Sequence, residues 1–395
     1  MEMKVNNMWA GEPGKGLFNM RYDFEKSHDS YIYDKNTERE YLDFFGMFSS
    51  IPLGYNHPIF SEKSFVDEIK KVSKFKIVNC EFASDEYDRF YKRFMEFVSC
   101  NGLFTNVHFC STGALAVECG IKAAMYHSKK ENPKILSVKN NFHGIMSYGN
   151  IVTTRFFPVT TRLDGFPGDI WPEFSSEKEL EYLLGFDDSI AGVIVEPIQS
   201  TYGDNHLDIK FLKSIRRICS KYKVPLIFDE VQTGFCTTGK VWYFEHLGIE
   251  PDIVIFGKKA QVCGIITKEE FSDIFETKRL YTTWDGELVD MIRSTHIIDF
   301  IEKNNIMDKF SLFSKEFIRK LKEISFIKNI RGLGGLIAFD FETQNGRDKF
   351  FDYMYNNGML CNPTGEKSIR LRPHLTTTKD DFERGLEIIK ESLDG

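Results

Sequence analysis

The amino-acid sequence predicts an α/β fold, in which a large domain has a mostly parallel central sheet and a smaller α+β domain lies beside it. Three observations support this prediction. From about residue 85, short apolar runs alternate with stretches of helical spacing, as in a parallel sheet covered by helices on both faces. Polar residues stand where several of these runs end. A chain of 395 residues is also long enough for one large and one small domain.

The predicted large domain spans residues 51–288. Its strands are short runs of β-branched, aromatic and other apolar residues, and its helices carry apolar residues on one face. The expected strands cover residues 106–110, 134–138, 190–197, 225–230 and 253–256, and the expected helices cover residues 85–100, 114–127 and 211–222.

The predicted small domain combines residues 1–50 with residues 289–395, because neither end of the chain can form a full core alone. The N-terminal part should contain a pair of strands at residues 31–36 and 41–46. The C-terminal part should contain helices at 289–304, 310–324 and 380–393, with strands at 336–341 and 369–371.

Composition excludes several classes of function. The net charge of −7 argues against a nucleic-acid binder. No stretch reaches the apolar length that a membrane span needs, and Met1 to Lys4 do not begin an apolar signal core. None of the eight cysteines forms a Cys-x-x-Cys pair or stands at zinc spacing from a histidine. We therefore expect no metal site, no membrane or nucleic-acid partner, and a reducing cytoplasmic location.

The segment Ser111-Thr112-Gly113-Ala114 follows a predicted strand and opens a predicted helix. Small residues at such a position let backbone N–H groups approach a phosphate, and the helix dipole favours the negative charge. A Ser-Thr-Gly sequence is also an ordinary helix cap, and that interpretation is the better one if this segment is taken alone.

Asp229 and Lys258 each follow a buried strand. A carboxylate at a buried strand end is costly unless it meets a cation, and the protonated nitrogen of a pyridine ring is one such cation. A desolvated lysine amine is less readily protonated, which makes it suitable for Schiff-base chemistry. The alternatives are that Asp229 caps a turn, that Lys259 is the reactive lysine, or that both lysines are solvated.

Together, these segments resemble the class III, fold-type I aminotransferases that use pyridoxal 5'-phosphate (PLP), and among them most closely the lysine ε-aminotransferase group. The resemblance covers nearly the whole chain. It rests on Ser111-Thr112-Gly113-Ala114 with Glu118, Asn141-Phe142-His143-Gly144, residues 195–199, 229–234 and 252–264, Thr282-Thr283-Trp284 and residues 369–373.

The resemblance assigns a role to each matching residue. It implies that Lys258, and not Lys259, forms the Schiff base with PLP and moves the proton, while Asp229 pairs with the pyridine nitrogen. The other implied cofactor contacts are Thr112, Gly113 and Ala114 at the phosphate, Phe142 and Val231 on the two ring faces, Gln232 at the ring hydroxyl, and His143 and Glu196 beside them. Thr283 would reach the cofactor of a neighbouring subunit, which implies a homodimer, and Arg370 would hold a substrate carboxylate.

Two positions depart from the family pattern, and both concern substrate. Ile145 stands where the lysine enzymes carry an arginine, and Thr201 stands where a glutamate neutralises the active-site arginine when an amine end is bound. Without that glutamate, Arg370 should be an unpaired cation that attracts carboxylates and repels ammonium groups. Losing an arginine contact removes roughly 1.5–3 kcal/mol, or about ten- to hundred-fold in preference.

The sequence therefore predicts an aminotransferase that moves an amino group between an amino acid or amine and a keto or aldehyde acceptor. A lysine-like terminal amine is one candidate donor, but we expect a specificity that differs from that of the lysine and GABA enzymes. The alternatives are a PLP-dependent aminomutase, racemase or epimerase, which never needs to admit a second substrate, and a non-catalytic relative.

Overall fold

The computed structural model describes residues 16–154 and 171–392. Its strands are β1 (Tyr31–Asp34), β2 (Arg39–Asp43), β3 (Asn106–Cys110), β4 (Lys134–Val138), β5 (Glu173–Phe174), β6 (Ile190–Val195), β7 (Ile198–Gln199), β8 (Asn205–His206), β9 (Leu226–Asp229), β10 (Ile253–Phe256), β11 (Cys263–Thr267), β12 (Lys328–Leu333), β13 (Leu336–Asp340), β14 (Met359–Leu360), β15 (Asn362–Thr364) and β16 (Ser368–Leu371).

The α-helices cover Lys63–Val72, Asp85–Val98, Gly113–Ser128, Ser147–Val152, Glu177–Phe186, Ile209–Tyr222, Phe244–Leu247, Leu288–Lys303, Ile306–Leu321, Gln344–Asn356 and Lys379–Glu391. Short 3-10 helices cover Pro58–Ser61, Ser200–Tyr202, Lys258–Ala260 and Glu269–Ile274. No helix in this part of the chain is long and apolar enough to cross a membrane.

The central sheet confirms the predicted fold class. Within the described ranges it has the strand order β3-β11-β10-β9-β6-β4-β5. Strands β10, β9, β6, β4 and β5 run parallel to one another, and β11 is antiparallel to both of its neighbours. The inner strands are buried along their whole length, as a parallel sheet covered on both faces requires.

Every strand and helix predicted from the sequence is present, with ends displaced by a few residues. The prediction that the closing helix reaches residue 393 extends outside the described residues. The sequence did not predict β11, or the helices at 63–72, 177–186 and 344–356. Strand β11 begins with Cys263 and Gly264, and a glycine inside an apolar run is a poor strand signal.

The two ends of the chain meet in one small sheet with the order β1-β2-β14. Strand β2 pairs in parallel with β14, with Leu42 opposite Met359. A second sheet, β12-β13-β16-β15, carries Arg370 on β16. The contact between N-terminal and C-terminal strands supports the predicted small domain, while the boundaries at residues 50, 51, 288 and 289 stay a prediction.

The chain between β2 and the first helix forms an unusual left-handed turn, Gly46–Ser49, in which φ is +58°, +47°, +58° and +73° in succession. Three of these residues carry side chains that disfavour this conformation. The first must be glycine, since a Cβ at Gly46 would lie 2.4 Å from the Arg372 carbonyl oxygen. Backbone N–H groups of Phe45 and Gly46 both donate to Asp43 Oδ1 at 2.9 Å, which fixes the entry to the turn.

Candidate active site

The candidate site begins where two neighbouring parallel strands end. Asp229 is the last residue of β9 and lies opposite Ile255 of β10, and Lys258 follows β10 by two residues. The carboxyl ends of parallel strands share one edge of a sheet, so strand direction alone brings this carboxylate and this amine to the same place.

Asp229 is buried and held in one orientation. Its Oδ2 lies 2.8 Å from His143 Nδ1, and its Oδ1 accepts from the backbone N–H of Val231 at 3.2 Å. His143 is itself buried, and its Nε2 has no hydrogen-bond partner among the described residues. Because His143 contacts Asp229, His143 would act on a bound ring through the Asp229 carboxylate.

The two adjacent lysines have different environments. Burial, partly offset by the charge of Asp229, lowers the pKa of Lys258 to about 8. Lys259 is 1% exposed, and its Nζ donates to the carbonyl (3.2 Å) and hydroxyl (2.7 Å) oxygens of Ser49. The amine of Lys259 is thus engaged by the N-terminal turn. The interpretation of both residues as a solvated surface pair is wrong, because Lys259 is buried and Lys258 is half-buried.

The segment Ser111-Thr112-Gly113-Ala114, the candidate phosphate-binding loop, begins a helix, as predicted. Thr112 is the N-cap of the helix Gly113–Ser128, and its hydroxyl accepts from Leu115 N–H at 3.3 Å. The capping interpretation of this segment is therefore correct, and it leaves the first N–H groups of the helix available to an anion. Ser111 Oγ donates to the Trp284 carbonyl at 3.0 Å, which brings Thr283 and its neighbours to this loop.

Val231 and Gln232 lie between the strand ends and the helix start. A Cβ added to Gly113 or Gly257 would lie 3.8 Å and 3.5 Å from Val231 Cγ1, so this side chain packs against both glycines. Gln232 Oε1 is buried and has no hydrogen-bond partner in the described part of the chain. A buried amide oxygen without a partner is costly, and a ligand hydroxyl at this point would satisfy it.

Glu196 connects two loops of the site. Its Oε2 accepts from the N–H of Phe142 at 3.1 Å, and its Oε1 accepts from the N–H of Ser200 at 2.9 Å. The side chain is buried, and burial raises its pKa to about 7 although nearby His143 opposes that rise. Glu196 thus fixes the backbone that carries Phe142 and, on the other side, the backbone that precedes Thr201.

Arg370 lies on β16, Arg372 directly follows the end of that strand, and both are buried. Arg370 Nη1 donates to the Ser200 carbonyl at 2.9 Å. The Asn362 side-chain amide, in the orientation that turns its oxygen toward the guanidinium, accepts from Arg370 Nη2 at 2.9 Å. These two acceptors are neutral, so they do not compensate the positive charge of Arg370, which is consistent with the expectation of an uncompensated cation. Among the described residues, no carboxylate lies within ion-pair distance of it. Burial lowers the pKa of Arg370 to about 10.

Asp204 is the acidic residue that stands nearest in sequence to the expected glutamate. Both of its oxygens accept from Arg372, Oδ2 from Nη1 at 2.6 Å and Oδ1 from Nη2 at 2.5 Å. Both side chains are almost completely buried. A buried bidentate pair of this kind is not released without a large penalty, so Asp204 cannot serve Arg370.

The remaining predicted residues are more exposed. Ile145 is 39% exposed. Thr201 is partly buried, and its carbonyl oxygen accepts from Gly365 N–H at 3.3 Å. Thr283 is exposed and adjoins Trp284, which is 46% exposed. The sequence did not predict the contacts of Ser200, Asn362 and Arg372 or the anchor of Lys259, although an arginine two residues after Arg370 could have indicated a paired, buried arginine.

These residues fit PLP. The helix start offers N–H groups to a phosphate, Asp229 offers a carboxylate to a ring nitrogen, the unsatisfied Gln232 oxygen suits a ring hydroxyl, and the desolvated amine of Lys258 suits a carbonyl. Fold and site together define a PLP-dependent transaminase. Residues 14–393 match the family model described as "Aminotransferase class-III", so the chain belongs to that family.

Several characterised proteins are similar to this chain. It is 30% identical to the L-lysine-epsilon aminotransferase of Streptomyces clavuligerus, over 95% of this chain and 91% of the relative. It is also 30% identical to the 4-aminobutyrate aminotransferase of Kluyveromyces lactis, over 94% and 89%. The solved structure of lysine aminotransferase from M. tuberculosis in the internal aldimine form superposes with a TM-score of 0.89, at 28% identity and 95% coverage of both chains.

Proposed function

We propose that this PLP-dependent aminotransferase takes amino donors and keto acceptors that each present a carboxylate to Arg370. The observation that carries the proposal is which groups contact Arg370 and which groups contact Asp204. Arg370 has only neutral acceptors among the described residues, while Asp204, the nearby acid, is fully engaged by Arg372. A buried guanidinium with no carboxylate beside it attracts an anionic substrate in both halves of the reaction.

The cofactor supplies the carbonyl that accepts an amine and the ring that withdraws electrons from the substrate carbon. Lys258 would hold that carbonyl and then move the proton, since an amine with a pKa of about 8 is available as a base near neutral pH. Asp229 would keep the ring nitrogen protonated. His143 would hold Asp229 in place through the 2.8 Å contact.

Neutral residues surround the position of the substrate side chain in this proposal. Ile145 would lie where the lysine enzymes place an arginine, so a second carboxylate on the substrate gains no charged contact there. Thr201 would lie where a glutamate would neutralise Arg370, so an ammonium end meets an uncompensated positive charge. The favoured donor is therefore an amino acid with a carboxylate near the reacting amine and an uncharged remainder.

The decisive experiment restores the missing charge. In the variant Thr201→Glu, we expect kcat/KM for a keto-acid acceptor to fall about ten- to hundred-fold, because the new carboxylate competes for Arg370. Donors that react through a terminal amine should improve in parallel. Thr201→Gln is the control, since it adds similar volume without charge. Equal kinetics for the two variants would contradict the proposal.

An isomerase remains the second candidate, and the same observation favours it, since an isomerase needs no switch between two substrates. The two functions differ in product. A transaminase gives one keto product for each donor converted, whereas a racemase, epimerase or aminomutase exchanges the substrate proton with deuterium and releases no keto product. A stoichiometric keto product would exclude the isomerase.

We also propose a homodimer and a cytoplasmic location. Thr283 and Trp284 are exposed beside the segment that begins at Ser111, where a second copy of this chain could contact them. All eight cysteines are free, which suits a reducing compartment. The Thr283→Ala variant tests the first point, because it should weaken PLP retention in a protein that sediments as a dimer, and unchanged retention would contradict the role of Thr283.

A further inference from the structure

We propose that Lys259 is a positioning residue that holds the backbone of the cofactor lysine in place through the left-handed turn Gly46–Ser49. The inference rests on the proposed role of Lys258. It starts from a buried amine that the cofactor chemistry does not use. Lys259 adjoins Lys258 and is almost fully buried, and its Nζ donates to both oxygens of Ser49, a residue 210 positions away.

The backbone on both sides of this contact is in a strained conformation. Gly46–Ser49 have four consecutive positive φ values, and Lys258 and Gln261 have φ of +50° and +63°. Side-chain-bearing residues adopt such values only where the surroundings enforce them, and such residues cluster at functional sites. Two strained segments that face each other therefore need contacts that hold them together.

Two side chains form those contacts. Lys259 reaches Ser49, and Gln261 Nε2 donates to the Ser50 carbonyl at 2.8 Å and to the Lys258 carbonyl at 3.1 Å. The carbonyl of the cofactor lysine is thus tied through Gln261 to the same turn that Lys259 anchors. Loss of the Lys259 contact would free the turn, and with it the backbone from which the Lys258 side chain extends.

Lys259 acts here as a hydrogen-bond donor. Among the described residues it forms no ion pair with a carboxylate, and both Arg372 and Lys258 repel a charge at this position, while Asp43 opposes them. A neutral amine still has two N–H groups, which is the number that the two Ser49 oxygens accept. The role therefore needs a long, flexible donor and does not need a permanent charge.

The test compares Lys259→Met, which keeps the length and removes the donors, with Lys130→Met. Lys130 is a suitable control because its Nζ also donates to a backbone carbonyl, that of Ile190 at 2.6 Å, away from the site. The first readout needs no activity. In Lys259→Met, with or without PLP, amide hydrogen exchange across residues 46–51 should become faster, and in Lys130→Met it should not.

The second readout separates positioning from general weakening. With PLP bound, Lys259→Met should alter the visible absorbance band of the cofactor and slow the first half-reaction about tenfold, the effect of one or two hydrogen bonds. The donor concentration at half saturation should change less than about twofold. Ser49→Ala should have a smaller effect in the same direction, and the double variant should be no slower than Lys259→Met.

A native-like band and half-reaction rate in Lys259→Met, or additive effects in the double variant, would overturn the proposal. If Lys259→Met does not fold, Ser49→Ala and Lys259→Leu, which also lacks a donor, decide the matter by the same measurements, and unchanged behaviour in both would overturn it. If the unaltered protein reacts with no donor, the proposed function fails, but the exchange and absorbance measurements still test Lys259.

Discussion

The cofactor half and the substrate half of the site are built in different ways. In the cofactor half, Asp229 and Lys258 extend from the ends of buried parallel strands, and the contact with His143 limits the freedom of Asp229. In the substrate half, Arg370 is held by neutral oxygens, and Ile145 is 39% exposed on a loop. In the proposed function, a sheet fixes the cofactor groups, whereas loops and a second sheet contact the substrate, so we expect that the two halves can be altered independently.

Glu196 is the physical link between the halves. One of its oxygens holds the backbone of Phe142 on the cofactor side, and the other holds the backbone of Ser200, whose carbonyl accepts from Arg370. Substitution of Lys258 therefore tests the cofactor half, and substitution of Arg370 tests the substrate half. Substitution of Glu196 tests the link between them.

Replacing Lys258 should have the largest effect. In Lys258→Ala, we expect transamination of every donor to fall on the order of 10⁴-fold, because the covalent anchor and the base are lost together. Turnover of a donor panel measures this, with exposed Lys63→Ala as the control. A Lys258→Ala enzyme that keeps a tenth of the native rate would show that Lys259 or another amine carries the reaction.

Replacing Arg370 should have a smaller and selective effect. In Arg370→Met, kcat/KM for carboxylate-bearing substrates should fall about ten- to hundred-fold, since a charge-assisted contact is lost. Donors without a carboxylate provide an internal control and should change little. The visible band of the bound cofactor should also stay the same. A uniform loss across all donors would contradict the separation of the two halves.

Replacing Glu196 should have the smallest effect and affect both halves. Glu196→Gln keeps one acceptor oxygen and turns an amide toward the other N–H group, which should cost about 1–2 kcal/mol of unfolding free energy. Denaturant unfolding measures this loss, and the KM for donor and the retention of PLP should both worsen modestly.

The effect of Glu196→Gln on the free energy of unfolding should depend on pH. The folded-state pKa of Glu196 is about 7, above its ordinary value of 4.5, so the folded protein retains a proton that the unfolded chain releases between these values. The native protein therefore loses this contribution as pH rises from 4.5 to 7, and Glu196→Gln does not. The advantage in unfolding free energy that the native protein has over Glu196→Gln should therefore be greatest below pH 4.5 and should fall steadily as pH rises to 7. A difference that is independent of pH would contradict the assigned pKa.

The sequence predicted that Asp229, Lys258 and the helix start at Thr112 lie at one edge of the sheet because the signals for these elements are local, while their roles toward a cofactor stay a prediction. Asp229 and Lys258 each follow an apolar run, and Thr112 precedes a helical pattern, so strand direction and helix polarity were enough to bring them together. The assignment of a separate role to each residue came from the family resemblance.

The substrate half and the turn could not be predicted in the same way because their contacts join distant residues. Arg370 meets Ser200 across 170 positions, and Lys259 meets Ser49 across 210. The acidic residue at 204 was visible in the sequence, but its commitment to Arg372 depends on how β16 lies against the loop after β7. No local pattern predicts four left-handed residues in a row.

The position of β16 near the end of the chain also sets the order in which the site is completed during synthesis. When residue 283 has left the ribosome, the chain already contains β3 to β11, Asp229, Lys258 and the turn Gly46–Ser49. Asn362, Arg370 and Arg372 follow only in the last part of the chain. Because domains fold as they emerge, the strands that carry Asp229 and Lys258 could assemble before Arg370 is synthesised, whereas the turn Gly46–Ser49 would gain its contact with Arg372 only at the end.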